Sequence, residues 1–153
     1  MFSHIKPMKL HHVLILTLLA GTGAMQISHS ADRNDLRRLL QTGKCERCNL
    51  VGADLRNANL RNANLKHANL KNANLTGANL QDANFHGANL RYSSLKNAVI
   101  QDTDFSEANL QGATLNYREL DRGDAKVCNA IMPNGVKKET NFDGFFGFGG
   151  CRH

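Results

Sequence analysis

Between Cys48 and Tyr117 an apolar residue returns every five positions. The fourteen centres are Leu50, Leu55, Leu60, Leu65, Leu70, Leu75, Leu80, Phe85, Leu90, Leu95, Ile100, Phe105, Leu110 and Leu115. Neither common secondary structure can use that spacing. At 100° per residue, centres five apart travel round every face of an α-helix and leave no stripe to bury. In a continuous strand an odd spacing sends successive centres to opposite faces. What remains is a series of short extended pieces with a turn in every repeat. Two residues before the centre stands Ala in eleven of fourteen groups, and the exceptions Cys48, Ser93 and Thr103 are also small. The small residue and the centre, two apart, point to the same side of an extended piece. One residue before the centre stands Asn in nine groups and Asp in two. Asn there suits a tight bend, because it tolerates special backbone angles and bonds its own backbone. Stacked coils then pack Leu on Leu and Ala on Ala, with stability drawn from neighbouring coils.

The composition follows from this pattern. The 153 residues include 20 Leu, 18 Asn and 16 Ala but only 7 Phe, 2 Tyr and no Trp. Narrow repeated slots favour small and aliphatic side chains, with Phe at only two of the fourteen centres, whereas an ordinary core depends on large rings. Collagen, coiled coil and multi-span membrane classes are excluded on the same counts.

Ala53-Asp54-Leu55-Arg56-Asn57, Ala58-Asn59-Leu60-Arg61-Asn62 and their successors resemble the pentapeptide-repeat family, whose motif is A-(D/N)-L-X-X. The resemblance implies an all-β solenoid, a right-handed quadrilateral β-helix with four repeats per coil. Fourteen repeats make three and a half coils, about 17 Å tall at the strand spacing. Phe85 and Phe105 are twenty residues apart and are expected to stack. Continuing the pattern would make Leu120 a centre and put Arg118 in a small buried slot, where an unpaired guanidinium is prohibitive. The array is therefore expected to stop near Tyr117.

Four segments are expected: a signal peptide over 1–30, an N-terminal capping helix and Cys-containing turn over 31–47, the solenoid over 48–117, and a C-terminal cap with a Gly/Phe-rich tail over 118–153. Lys6 and Lys9 precede an apolar run from Val13 to Ala24, and Ser28 and Ser30 place small side chains before Ala31. That is the layout of a cleavable secretory signal. The run is too short to span about 30 Å of hydrocarbon comfortably. Cleavage is expected near Ser30, giving a periplasmic or secreted protein with no stable membrane span. Without Lys6 and Lys9 the formal charge falls from +6 to +4.

Cys45, Cys48, Cys128 and Cys151 all lie in the mature part, and an even number in an exported chain reads as two disulfides. Pairing needs Cα atoms within about 7 Å, which across a stack of that height favours Cys45–Cys48 and Cys128–Cys151. A haem attachment would need His where Asn49 stands, and neither a thioredoxin-like βαβ setting nor further zinc ligands are evident. Asp32 to Leu40 reads as a short amphipathic helix with Leu36, Leu39 and Leu40 on the first coil, Asp32 or Asn34 as cap and Gly43 as stop. Ile131 to Val136 carries a turn signal between apolar residues, as in a hairpin-like cap.

Arg56, Arg61, Lys66 and Lys71 follow the centre in four consecutive groups, so each falls on a different side of a twenty-residue coil. They form a belt around the stack, and a solvated rim is the expected reading. Phe142, Phe145, Phe146 and Phe148 beside Gly form the best candidate for partner contact or a lid held by Cys151. His67, His86 and Glu107 come near one another on such a coil, but the adjacent Lys66 argues against a metal. No catalytic residue, cofactor or metal site is expected, because near-identical repeats offer no singular environment. Nucleic acid is not expected either, since cations and stacking aromatics are not clustered. The function expected is a non-enzymatic structural or protein-interaction scaffold. One alternative is a binding module for anionic lipid or polysaccharide that uses the basic rim or the Phe-rich tail. The family resemblance adds another, a cytoplasmic DNA mimic that binds gyrase, which needs an acidic surface.

Overall fold

The computed structural model describes residues 30–116, 120 and 125–138. The chain enters through helix α1, Arg33–Thr42. Asp32 caps it, accepting hydrogen bonds from the N–H groups of Asn34 at 2.7 Å and Asp35 at 3.2 Å. Gly43 ends it in the left-handed region at φ 66°, where glycine carries no Cβ penalty. Its N–H returns to the Leu39 carbonyl at 2.8 Å.

From Lys44 the chain climbs in coils of twenty residues. Parallel bridges join residues twenty apart, and a new bridge row begins every five residues: at Lys44, Asn49, Asp54 and Asn59. The stack therefore has four sides, named below by these lowest positions. Each centre donates its N–H upward, as Leu55 does to the Asn74 carbonyl at 2.8 Å. The residue before a centre donates downward, as Asn74 does to Ala53 at 2.9 Å.

Each corner is built the same way. The centre's carbonyl accepts from the N–H three residues on, as in Ala58 to Leu55 at 3.1 Å. The second residue after the centre has positive φ at all fourteen positions from Arg47 to Gly112, between 55° and 70°. That is the signature of a type II turn. The two jobs expected of the Asn before the centre are thus divided. That Asn accepts a hydrogen bond from the N–H two residues on, at 3.0 to 3.4 Å in the repeated series, and Asp104 does the same at 2.9 Å, but its φ stays negative. The left-handed angle falls three residues later, on Gly, Asn or Asp in most repeats and on Arg47, His67, Tyr92 and Glu107 in the rest.

The interior is a column of centres and small residues. Leu55 to Leu110 are buried at every centre, and Phe85 and Phe105 stack with centroids 5.3 Å apart and planes 26° from parallel. Ser93 and Thr103 occupy Ala slots without unpaired hydroxyls, because they donate to the carbonyls of Leu90 at 2.8 Å and Leu80 at 2.9 Å. Leu115, expected as a core centre, is only partly buried.

The stack extends beyond both expected limits. It begins one repeat earlier, with Gly43-Lys44-Cys45-Glu46-Arg47. Cys45 is wholly buried in a centre slot, and Lys44 pairs with Asn64. At the other end Leu120, twenty after Ile100, is buried in the same core. Pairing is seen again at Ala125: strand β1, Thr103–Asp104, lies parallel to β2, Ala125–Lys126. Ser94 with Thr114 still keeps twenty and the register at Ala125 is twenty-two, so the step falls between Thr114 and Ala125. Arg118 is not a described residue. Ala125-Lys126-Val127 and Ala130-Ile131-Met132 keep the small–outward–apolar order, with Ala125, Val127 and Ala130 buried. The chain then turns back: Ile131 pairs antiparallel with Lys137, and Met132 donates to Val136 at 2.8 Å. This short hairpin lies on the Asn49 side of the last coil. The Lys44 side is five levels tall, about 19 Å at the usual strand spacing.

Candidate functional site

Cys45 and Cys48 are joined by a disulfide, with Cα atoms 5.3 Å apart. Cys45 fills a centre slot and Cys48 a small slot of the same corner, so the bond lies in the floor of the stack. The helix sits directly on it. Arg38 donates to Cys48 Sγ at 2.9 Å, and the Asp35 carboxylate accepts the Asn49 N–H at 2.8 Å. This roll of the helix puts Asp35, Leu36 and Leu39 toward the coil. Leu40 was expected there too, but it is 57% exposed, because Asp35 claims the edge of the coil. Cys128 is also disulfide-bonded. Its expected partner Cys151, and Phe142, Phe145, Phe146 and Phe148, lie outside the described residues.

The four cations of the expected belt have unequal surroundings. Arg56 makes a two-point contact with Asp54, Nε to Oδ1 at 2.8 Å and Nη2 to Oδ2 at 2.7 Å. The hydrogen bonds from Arg56 hold the Asp54 carboxyl below the usual carboxylate range. Arg61 reaches Asp82 on the next coil at 3.2 Å. Lys66 and Lys71 make no ion pair among the described residues.

His67 and His86 stand one coil apart with ring centroids 5.7 Å apart, and His86 Nε2 lies 3.5 Å from Glu107 Oε2. The geometry brings all three together as the spacing suggested. Among the described residues, no group of three or more His, Cys, Asp or Glu side chains is placed to hold a metal ion. No helix among them is long and apolar enough to cross a membrane.

Folding the sequence on a twenty-residue coil shows a feature that the linear reading missed. The outward positions are the residue before each centre and the two after it. On residues 44–116 of the Lys44 side, Lys44, Arg47 and Lys66 balance Glu46, Asp104 and Glu107. The Asp54 side has Arg56 and Lys96 against Asp54, and the Asn59 side has Arg61 against Asp82 and Asp102. The Asn49 side has Lys71 and Arg91 and no acid at all. The belt hides this asymmetry, because it takes one cation from each side.

This arrangement is a four-sided parallel β-solenoid of five-residue repeats with a helical floor and a hairpin roof. Residues 40–115 match the family model of the pentapeptide repeat region, and the chain belongs to the pentapeptide-repeat family. Among solved structures it is similar to HetL, a pentapeptide repeat protein involved in heterocyst differentiation regulation from the cyanobacterium Nostoc sp. strain PCC 7120. That match has 36% identity and a TM-score of 0.41, over 58% of this chain and 40% of HetL. It is also similar to another pentapeptide repeat protein of Nostoc PCC 7120, at 28% identity and TM-score 0.39 over 75% of this chain and 91% of the other. A pentapeptide repeat protein of the Arabidopsis thaliana thylakoid lumen matches at 28% identity and TM-score 0.32, over 54% of this chain and 56% of its own. This chain thus spans less than half the length of HetL. No curated protein sequence matches it significantly.

Proposed function

We propose that the protein is an exported, non-enzymatic scaffold that presents its solenoid sides to a protein partner. The observation that carries this reading is the uniformity of the backbone rows and corners. Every corner from Arg47 to Gly112 is the same turn, and among the described residues the one carboxylate with a resolved shift, Asp54, is an exposed side chain paired to Arg56. Tuned acids and bases sit in singular, desolvated places. Rigid repeated surfaces instead suit contact. Export is supported by the amino-terminal pattern and by the disulfides, which persist in oxidising compartments. A mature chain beginning at Ala31 keeps the Asp32 cap and the bond from its N–H to the Asn49 carbonyl at 2.8 Å. A DNA mimic needs an acidic surface, and three of the four sides are neutral or positive in the outward count.

The test has two parts. Mass analysis of the protein recovered from its native host should show a chain beginning at Ala31 or Asp32; an intact chain in the cytoplasm contradicts export. Affinity capture from the native envelope, with the full chain and with a chain lacking residues 142–153, should return one stoichiometric protein. Failure of both baits to hold any protein contradicts the scaffold reading.

A further inference from the structure

We infer that the Asn49 side is a docking surface for a linear acidic polysaccharide bearing uronate carboxylates. The first ground is charge. This side carries Lys71 and Arg91 on adjacent coils and no acid at any outward position from Asn49 to Gly112. Its top level, Ile131, Pro133 and Asn134, adds none. Elsewhere Arg56 pairs with Asp54 and Arg61 with Asp82, and each of the other three sides carries at least one outward carboxylate. A surface of uncompensated like charge draws an anion whose charges repeat along the same axis.

The second ground is the chemistry beside those cations. The Arg91 guanidinium lies 5.3 Å from the Tyr92 ring centroid, and Nη2 donates to the Tyr92 hydroxyl at 3.4 Å. Its Nε is buried without a hydrogen-bond partner. Tyr92 is 53% exposed. A Cβ on Gly112 would strike its ring, so glycine there is what lets the ring lie over the next coil. An Arg held against an open aromatic ring offers a carboxylate its terminal Nη donors and offers a sugar ring an apolar plate.

The third ground is the ladder Asn49, Asn69, Asn89 and Asn109, one amide per coil, in which Asn89 Nδ2 donates to Asn69 Oδ1 at 3.2 Å. Equivalent amides repeat about every 4.8 Å up the stack. That is a step on the scale of one sugar residue, and amides suit hydroxyl groups. A bilayer is the poorer fit, since docking there draws on apolar insertion, and among the described residues of this side only Tyr92 and, on the hairpin, Val136 are large exposed apolar groups. Single-stranded nucleic acid stacks on successive aromatics, and this side has one.

The inference names a ligand for one side of the scaffold and does not depend on which protein that scaffold holds. Its test uses purified protein and polygalacturonate, followed by affinity electrophoresis and titration calorimetry. Binding should appear at low salt and vanish at about 1 M salt, where the screening length falls to about 3 Å. Lys71→Gln and Arg91→Gln should each weaken it about threefold to fivefold, the scale of one exposed ion pair. Tyr92→Ala should weaken it as well. Lys96→Gln removes the same charge from the Asp54 side and should change it less than about twofold. Far-UV circular dichroism confirms that each variant is folded. The idea is overturned if polygalacturonate does not bind, if neutral dextran binds as well, or if Lys96→Gln does as much harm as Lys71→Gln. Tighter binding to anionic phospholipid vesicles or to oligothymidylate overturns it also. None of these failures touches the protein-scaffold reading, which rests on envelope capture.

Discussion

The interior pair Phe85–Phe105 offers the sharpest energetic handle on the coil. Both rings are buried, and they stack at 5.3 Å across two successive levels of one side. Leu is the residue that most other centres carry, so Phe→Leu changes volume without introducing a foreign shape. Each single change should cost about 1–2 kcal/mol from lost apolar contact and imperfect refilling. With a urea m-value of about 2 kcal/mol/M, each should lower the midpoint by roughly 0.5–1 M. The aromatic pair itself is worth about 0.5–1.5 kcal/mol beyond its buried area. The first substitution already forfeits that pair, so the double variant should cost less than the two singles together by this amount. The control is Phe105→Leu with Leu55→Ala. Those positions lie on different sides and two and a half coils apart, about 12 Å along the stack at the strand spacing, and should add within about 0.5 kcal/mol. The assay is urea unfolding followed by far-UV circular dichroism at constant m. Additivity of the two Phe changes would refute the stacking of residues twenty apart.

Other outcomes follow from the corners and caps. Gly52→Ala meets open space and bears only the cost of its 68° φ, about 1–2 kcal/mol. Gly112→Ala has the same backbone cost and must also displace the Tyr92 ring, so its thermal midpoint should fall further. Reducing Cys45–Cys48 opens a very short loop, and the chain-entropy scale puts the loss at about 2 kcal/mol. Denaturation of Cys45→Ala/Cys48→Ala against the parent, with Cys128 unaltered, measures it. The Asp54 carboxyl should titrate below an ordinary carboxylate by NMR and return toward normal in Arg56→Gln. Because its folded value is depressed, any stability it contributes is present above the ordinary carboxylate range. That stability is lost as pH falls through the folded value. A normal Asp54 titration in the parent would contradict the pairing.

The middle of the chain was legible because its period is strict and its slots are chemically narrow. The ends were not, for local reasons. Cys45 holds a centre slot with Lys44 before it, so the first repeat lacks both Leu and Asn although its backbone is that of a repeat. The last repeats keep the small–outward–apolar order, but a two-residue step between Thr114 and Ala125 throws them out of a five-residue count. Leu40 follows the amphipathic pattern, yet the carboxylate of Asp35 fixes the roll of the helix and turns Leu40 outward. The uneven charge was hidden for another reason. Arg56, Arg61, Lys66 and Lys71 are evenly spaced in sequence, and only after wrapping on twenty residues do Lys71 and Arg91 share a side free of acids.

The direct measurement of the coil is the set of cross-coil NOEs in isotopically labelled protein. Backbone contacts should join residues twenty apart, such as Asp54 with Asn74 and Asn79 with Val99, throughout the regular stack. They should shift to twenty-two for Thr103 with Ala125 and Asn109 with Ile131. Contacts at another constant separation, or an unbroken twenty through the final coil, would contradict the four-sided stack and its two-residue step.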